Sequence, residues 1–239
     1  MDVVRKNLVE VFALKIRVKF EKTGVVRFIG HLDIMRYFQK AMRRCAMPIK
    51  YSEGFSPHQI MSFGAPLSLG MESIGEYMDI EVDEEKMQGI HSQEAIDKLN
   101  SVMCPGIYVR SFRRLKEGTK NAMSSMTEAK YRIEFFDVDG DELKKAVNTL
   151  LDQKEIILEK VRKEKVKMMD IRPLIYHLEV MEQPLTLEMD ISHGSVDNLK
   201  PELVLQALGE KFKNAKRRII RVDMYAQNHQ SLNDFGEDI

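Results

Sequence analysis

Several features of other protein classes are missing from this sequence. Its 239 residues contain no tryptophan and two cysteines, Cys45 and Cys104. Two thiols so far apart exclude a zinc or iron–sulfur site made of several cysteines of this chain, and we interpret both as reduced core residues. The apolar residues near the N-terminus are interrupted by charged ones, which fits neither a signal peptide nor a membrane span. We therefore expect a cytoplasmic protein without membrane association.

An excess of charge of either sign is also absent. The 37 lysine and arginine residues equal the 37 aspartate and glutamate residues, so any contact with nucleic acid must depend on local patches. The sequence has no P-loop, GxGxxG, HExxH or CxxxCxxC motif, which removes the usual signatures of nucleotide hydrolysis, dinucleotide binding, zinc proteolysis and radical chemistry. We predict no cofactor and no metal site.

Hydrophobic residues (44%) and charged residues (31%) occur in the proportions of a folded protein, and their spacing predicts two similar halves. Period-two alternation predicts strands, and helical spacing of apolar residues predicts helices. In the first half these patterns predict strands 14–20, 25–29, 77–82 and 107–112, a helix 31–46 and a helix beginning near residue 92. In the second half they predict strands 131–136, 185–191 and 218–225, helices 141–151 and 201–212, and a charged hairpin 156–170.

This order predicts an α+β protein of two tandem ferredoxin-like domains, in which antiparallel sheets are each covered by helices. The N-terminal domain would span 1–118 and include a glycine- and proline-rich loop, and the C-terminal domain would span 128–227. The polar segment 119–127 is typical of a linker, and 228–239 is predicted to be a flexible tail.

The clearest indication of a binding surface lies in the first half. A helical projection of 31–46 places four cations opposite the apolar residues of the helix: Arg36, Lys40, Arg43 and Arg44. Guanidinium and ammonium groups in this arrangement suit phosphate, as in RNA. A solvated basic face without a ligand is the alternative. Basic segments of the second half, which include Arg172, would line the same cleft if they face this helix.

The loop after this helix is rich in residues that shape the backbone. Gly54 permits torsions closed to other residues and Pro57 restricts them, which favours a stiff loop. Its aromatic side chains would offer flat rings for stacking, although such rings also pack in cores. The predicted substrate-binding residues are Arg36, Lys40, Arg43, Arg44, Tyr51, Gly54, Phe55, Ser56, His58, Phe63 and Arg172.

Two histidines are candidate acid–base residues, and neither is assigned as catalytic. His58 lies in the loop between Pro57 and Gln59, where a group that titrates near neutral pH would suit proton transfer or a ligand contact. His31 opens the predicted helix after Gly30, where capping or packing is the alternative role.

Four segments of the sequence resemble a known bacterial family: GHLDIMR, YSEGFSPHQIMSFG, LSLGMES and GEYMDI. They are similar to those of the radical-SAM-linked family, also described as DUF2344, and the resemblance covers nearly the whole chain. Ser56 and Gln59 replace Asn and Pro of the usual GFNPHP form. The resemblance implies a stand-alone partner or substrate-presenting module for a radical SAM protein with a cobalamin-binding-type domain, and it suggests RNA as a substrate.

We therefore expect a non-catalytic adaptor that works with a radical SAM enzyme and binds RNA or an RNA-associated substrate. An RNA-processing or RNA-modifying enzyme that uses His31 or His58 as acid or base is one alternative. A protein-only interaction module is the other.

Overall fold

The computed structural model describes residues 13–162 and 165–239, with their side chains except at 160–162 and 165–167. The first half begins with a strand in which Ile16, Val18 and Phe20 are buried and Lys15 is exposed, as the two-residue period predicts. Residues 1–12 of the predicted N-terminal domain lie outside the described residues. The elements of this half are β1 (Ala13–Lys22), α1 (His31–Arg44), β2 (Met61–Phe63), β3 (Glu72–Asp83), α2 (Glu84–Met87), α3 (Ser92–Asn100) and β4 (Ile107–Leu115).

The second half follows a short connecting helix, α4 (Ala122–Ser125). Its first long helix begins where the Asp139 carboxylate accepts a hydrogen bond from Glu142 N at 3.0 Å, an ordinary N-cap. The elements are β5 (Glu128–Phe135), α5 (Gly140–Leu151), β6 (Ile157–Arg162), β7 (Lys165–Asp170), β8 (Ile175–Glu182), β9 (Leu185–Ser192), α6 (Pro201–Leu208), α7 (Glu210–Asn214), β10 (Arg217–Ala226), β11 (Gln230–Ser231) and β12 (Gly236–Glu237).

Ten of these strands form one mixed sheet, and β6 and β7 form a separate hairpin. Eight strands cross the sheet in the order β12, β4, β1, β3, β10, β5, β9, β8, while β2 pairs with β3 and β11 with β10. Neighbours are antiparallel except β3 and β10, which run parallel and pair at Ser73 and Arg221. The protein is therefore an α+β protein whose halves share one sheet, joined at β3 and β10.

Two hydrophobic cores use different faces of β3. The first packs α1 and α3 against β1, β3 and β4, and the second packs α5 and α6 against β5, β9 and β10. Met78 belongs to the first core and its neighbour Tyr77 to the second, because successive side chains of a strand point to opposite faces. None of the helices in the described ranges combines the length and apolar character needed to cross a membrane.

Three elements differ from the sequence prediction. Residues 25–29 do not form a strand, because the chain turns at Gly24 (φ +65°) into a 3₁₀ helix, Gly24–Phe28. β8 was not predicted, and its apolar pattern is weak because it is an outer strand of the sheet with most of its residues exposed or half-buried. The predicted helix 201–212 is interrupted at Gly209 (φ +124°), which separates α6 from α7.

Residues 228–239, predicted to be a flexible tail, have defined partners. β11 pairs with β10 and β12 pairs with β4, and Leu232 is fully buried. At the last residue, Ile239 N donates to Ser92 Oγ at 2.9 Å, and Ser92 N donates to Ile239 O at 3.0 Å. The C-terminal segment therefore packs on the first half of the chain.

Candidate functional site

The segment between α1 and β2 contains a hairpin-like excursion, which we call the motif loop (residues 51–59). Its base is closed by a bridge between Tyr51 and Gln59 and by a hydrogen bond of 2.8 Å from Ser52 N to His58 O. The buried Gln59 side chain donates from Nε2 to the Gln39 carbonyl of α1 at 3.2 Å. The loop is therefore held beside the C-terminal half of α1.

Three predicted binding residues, Gly54, Phe55 and Ser56, form the exposed tip of the motif loop. Gly54 has a φ of +103°, and a Cβ there would meet open space, so the left-handed backbone alone favours glycine. The Phe55 side chain is fully exposed, and Tyr51 at the base of the loop is 46% exposed. Because water surrounds the Phe55 ring, it is free to stack on a planar group.

Phe63 is a correction to the predicted set of stacking residues. It is 6% exposed, and its ring lies 6.0 Å from that of Phe20 and 5.8 Å from that of Phe38. The His31 ring meets its edge at 5.6 Å. Phe63 therefore belongs to the first core, and His31 takes the packing role that the sequence left open.

His58 lines a cavity of about 420 Å³ beside the motif loop. Its Nδ1 lies 2.8 Å from Ser52 Oγ, and Ser52 Oγ also accepts from His58 N at 3.1 Å. The ring is thereby oriented, and in the described part of the chain Nε2 has no hydrogen-bond partner. The other charged or polar side chains around the cavity are those of Lys15, Ser62, Asp79, Glu81, Thr119 and Asn121.

One carboxylate of this cavity, that of Asp79, is already bound by other residues of the protein. Arg17, which is 1% exposed, donates from Nε to Asp79 Oδ1 at 2.8 Å and from Nη2 to Oδ2 at 2.9 Å. Ala122 N donates to Asp79 Oδ2 at 2.7 Å. This bidentate pair ties β1 to β3 and the connecting segment, so Asp79 has a structural role and is not a free base.

The four cations of α1 differ in their surroundings. Arg44 donates to the Val102 carbonyl at 2.6 Å, and Arg36 pairs with Asp33 at 3.3 Å on the surface. Lys40 and Arg43 are exposed, and among the described residues neither has an ion-pair or hydrogen-bond partner. Two of the predicted cations are therefore free to meet an anion.

The predicted cationic recess between the halves is not found in the described part of the chain. Lys15 and Asp79 of the cavity alternate with Ile16 and Ile80, which face α1, so the cavity and α1 lie on opposite sides of the sheet. Arg172 donates to the Ile175 carbonyl at 3.4 Å and precedes β8, at the far edge of the sheet. Side chains 160–167 of the predicted basic hairpin lie outside the described residues.

Sequence reasoning missed the contact between β3 and β10, which we call the seam. Arg221, fully buried, donates to both carboxylate oxygens of Glu76 at 2.6 and 2.7 Å. Arg218 reaches Glu72 across the same contact at 2.6 Å. A Cβ at Gly75 would lie 2.3 Å from Val222 O, so only glycine allows this approach of the backbones. These acidic residues and Gly75 come from LSLGMES and GEYMDI, so these segments join the halves.

Titratable groups near the seam have strongly shifted pKa values. Burial raises the pKa of the Tyr77 hydroxyl, and Asp223, whose Oδ1 accepts from it at 2.5 Å, adds to the effect. Burial and the nearby Arg221 charge lower the pKa of His193 to about 3. Arg221 Nη1 donates to His193 Nε2 at 3.2 Å, which requires that nitrogen to be unprotonated. In the sequence, the seam is indicated only by charged residues at strand positions that point into the protein, such as Glu76 and Arg221.

A group able to hold a metal lies elsewhere, on the second half. Within the described ranges it consists of Glu128, Asp190 and His229. Cys45 and Cys104 are both free and half-buried, consistent with the predicted reduced thiols. The motif loop and its cavity contain no comparable set of ligands among the described residues.

Comparison with known proteins gives a family but no activity. No protein of curated function matches this chain. A chain of the Cbf5-Nop10-Gar1 complex is similar with a TM-score of 0.46 and 9% identity, over 89% of this chain and 50% of that chain. This chain thus spans half the length of that chain of the complex. The family model described as an uncharacterized protein conserved in bacteria matches residues 15–201. The chain therefore belongs to the DUF2344 family.

Proposed function

We propose that this protein is a non-catalytic adaptor that binds RNA, or a substrate that contains RNA, through α1 and the motif loop. The observation that carries the proposal is the pair of unpartnered cations, Lys40 and Arg43, beside a loop whose Phe55 is fully exposed. Positions 36, 40 and 43 share one helix face, and the Gln59–Gln39 hydrogen bond brings the loop to that helix.

The two features supply complementary contacts. Cations attract phosphates in any sequence, and an exposed ring stacks on any base, so together they suit single-stranded RNA without strong sequence preference. This combination supports recognition rather than turnover.

The domain and cellular assignments form part of the same proposal. In the first half the strand order β4, β1, β3, β2, and in the second half β10, β5, β9, β8, support two ferredoxin-like units. We propose a cytoplasmic location and a radical SAM enzyme with a cobalamin-binding-type domain as the partner, which the adaptor would supply with substrate.

A protein-only interaction module is a second candidate, favoured by exposed apolar side chains. Val25 (81% exposed) and Phe28 (63%) lie on one side of the 3₁₀ helix Gly24–Phe28, three residues apart. Leu69 (66%) is adjacent, because Gly70 N donates to the Arg27 carbonyl at 3.1 Å. The radical SAM enzyme is the occupant that we propose for this patch.

An RNA enzyme that uses His58 is the third candidate. The oriented ring beside a cavity of about 420 Å³ favours it, whereas the neighbouring Asp79 is fully bonded to Arg17 and Ala122. RNA cleavage by the isolated protein that is lost in His58→Ala would support this candidate over the adaptor.

The adaptor proposal is tested by RNA binding as a function of salt. With a mixed-sequence single-stranded oligoribonucleotide, Lys40→Ala/Arg43→Ala should weaken binding and lower the slope of log affinity against log salt by about 1.5. The matched control is Lys145→Ala/Lys154→Ala, which removes the same charge from exposed positions of the second half. Phe55→Ala should weaken binding and leave the slope unchanged.

Either of two results would contradict the proposed RNA-binding surface. Binding that is unchanged in Lys40→Ala/Arg43→Ala, or lost equally in the control, would remove the proposed surface. Recovery of the radical SAM enzyme with the wild-type chain but not with Phe28→Asp/Leu69→Asp, in the absence of RNA binding, would favour the interaction module.

A further inference from the structure

The second half of the sheet has a polar face that α5 and α6 do not cover. Lys130 and Asp190 alternate along β5 and β9 with core residues such as Tyr131 and Met189, so they point away from these helices. Two residues lie together at one end of this face. They are Glu128, the first residue of β5, and His229, in the turn after β10. Residues distant in sequence therefore meet here.

Glu128, Asp190 and His229 form a compact group. One ligand atom from each residue lies within 4.8 Å of the others. His229 Nδ1 is 2.7 Å from Glu128 Oε1, and the His229 ring stacks on Tyr225 with centroids 4.0 Å apart. The stacked ring is thus aimed at the two carboxylates.

The Asp190 carboxylate is buried and incompletely hydrogen-bonded among the described residues. The residue is 7% exposed, and its Oδ1 is buried without a hydrogen-bond partner among the described residues. A buried carboxylate oxygen without a donor or cation is costly, since it has lost its water. Its cross-strand partner Lys130 bonds Glu188 instead, at 3.0 Å. A cation at the centre of the group would satisfy Asp190.

We propose that Glu128, Asp190 and His229 bind a divalent transition-metal ion, with zinc, manganese and iron as the fitting class. Imidazole favours zinc and iron over magnesium and calcium, and the two carboxylates suit manganese as well. Glu128 is mostly buried and His229 is about half exposed, so one side of the ion faces solvent. Three protein ligands with an open side leave coordination positions for water or an oxygen ligand.

The wide spacing of the three ligands along the chain explains why a metal site was not predicted from the sequence. The three residues are separated by 62 and 39 positions, from 128 to 190 and from 190 to 229, so no short motif announces them. Glu128 and Asp190 are brought together by the pairing of β5 with β9, and His229 by the turn after β10, where Asn228 and His229 both have positive φ.

The test uses the full chain without a histidine tag, stripped with a chelator and titrated with Co²⁺ by visible absorption and with Zn²⁺ by calorimetry. One equivalent should bind, and the Co²⁺ spectrum should lack a thiolate charge-transfer band, which excludes Cys45 and Cys104. Asp190→Asn and His229→Gln should each lower the affinity by at least about tenfold.

The control is His177→Gln, since His177 faces Asp190 across the ladder but interacts with Glu179 at 3.5 Å. Unchanged binding in this variant supports His229 as the ligand, whereas lost binding overturns the proposed set. Zn²⁺ should also raise the melting temperature of the wild type and not of Asp190→Asn/His229→Gln. No binding by the wild type, or an equal temperature shift in the double variant, would overturn the proposal.

Discussion

The β3 side of the seam and the motif loop come from one motif-rich stretch of sequence, yet their polar residues lie in opposite environments. At the seam, Glu76 is buried and bound by Arg221 from the other half of the chain. In the motif loop, Ser56 and Phe55 are exposed, and the nearby Lys40 has no partner among the described residues. Polar residues that satisfy one another hold a fold together, and those left unsatisfied at the surface are available to a ligand.

The difference has an energetic basis. Removing one member of a buried ion pair leaves an uncompensated charge, whereas removing one member of an exposed pair changes little. Substitutions of polar residues at the seam should therefore lower the free energy of unfolding more than substitutions in the motif loop and on α1. RNA affinity should instead fall more for substitutions in the motif loop and on α1.

The largest effect is expected for Glu76→Ala. It leaves the Arg221 guanidinium fully buried without a carboxylate, and we expect the free energy of unfolding to fall by about 3–5 kcal/mol. Denaturant unfolding followed by circular dichroism measures this change. The double change Glu76→Leu/Arg221→Met should recover part of the loss. A cost below about 1 kcal/mol for Glu76→Ala would show that the seam does not depend on this pair.

Gly75→Ala tests the seam through its backbone. The added Cβ would lie 2.3 Å from Val222 O and cannot move without separating β3 from β10, so we expect a loss of at least about 2 kcal/mol in the same measurement. Gly30→Ala before α1 is the comparison, because the backbone there has an ordinary φ of −69° and a Cβ would meet only Asp33 Oδ2, at 3.9 Å. Equal costs at the two positions would contradict the close approach at the seam.

The pH dependence of stability provides a third test. The pKa of His193 is lowered to about 3 in the folded protein, so the unfolded chain binds more protons as the pH falls from about 6.5. Stability from this residue is therefore present above pH 6.5 and is lost toward pH 3, with a slope of up to about 1.4 kcal/mol per pH unit. His193→Gln should flatten the profile between pH 6.5 and 5; a profile identical to that of the wild type would refute the burial effect.

The smallest stability effect is expected on α1. Arg36→Ala removes an exposed pair with Asp33, and we expect the free energy of unfolding to change by less than about 0.5 kcal/mol. The same variant should weaken RNA retention at low salt if α1 is the binding face. A large loss of stability without any effect on binding would reverse the comparison between the two regions.

Much of the secondary structure was predictable because it depends on local periodicity. β1 and α1 lie where alternation and helical spacing placed them, and the hairpin of β6 and β7 falls within the predicted range 156–170. β8 and the 3₁₀ helix Gly24–Phe28 were missed, because outer strands and short turns carry little periodic signal.

The candidate site was predictable only in part. The exposed tip at Gly54 and Phe55 and the free cations Lys40 and Arg43 agree with a surface role, whereas Phe63 lies in the core and Arg44 is bonded to the Val102 carbonyl. Sequence shows which residues are aromatic or basic, but the accessibility of each is set by neighbours distant in the chain.

The sequence by itself determined the α+β character, the positions of most of the long strands and helices and the resemblance to DUF2344, because these depend on residue type and near-neighbour spacing. Only the tertiary structure decided that LSLGMES and GEYMDI join β3 to β10, and that Glu128, Asp190 and His229 meet. Both contacts connect residues more than 35 positions apart, and the pairing of strands, which short-range periodicity does not specify, brings them within reach.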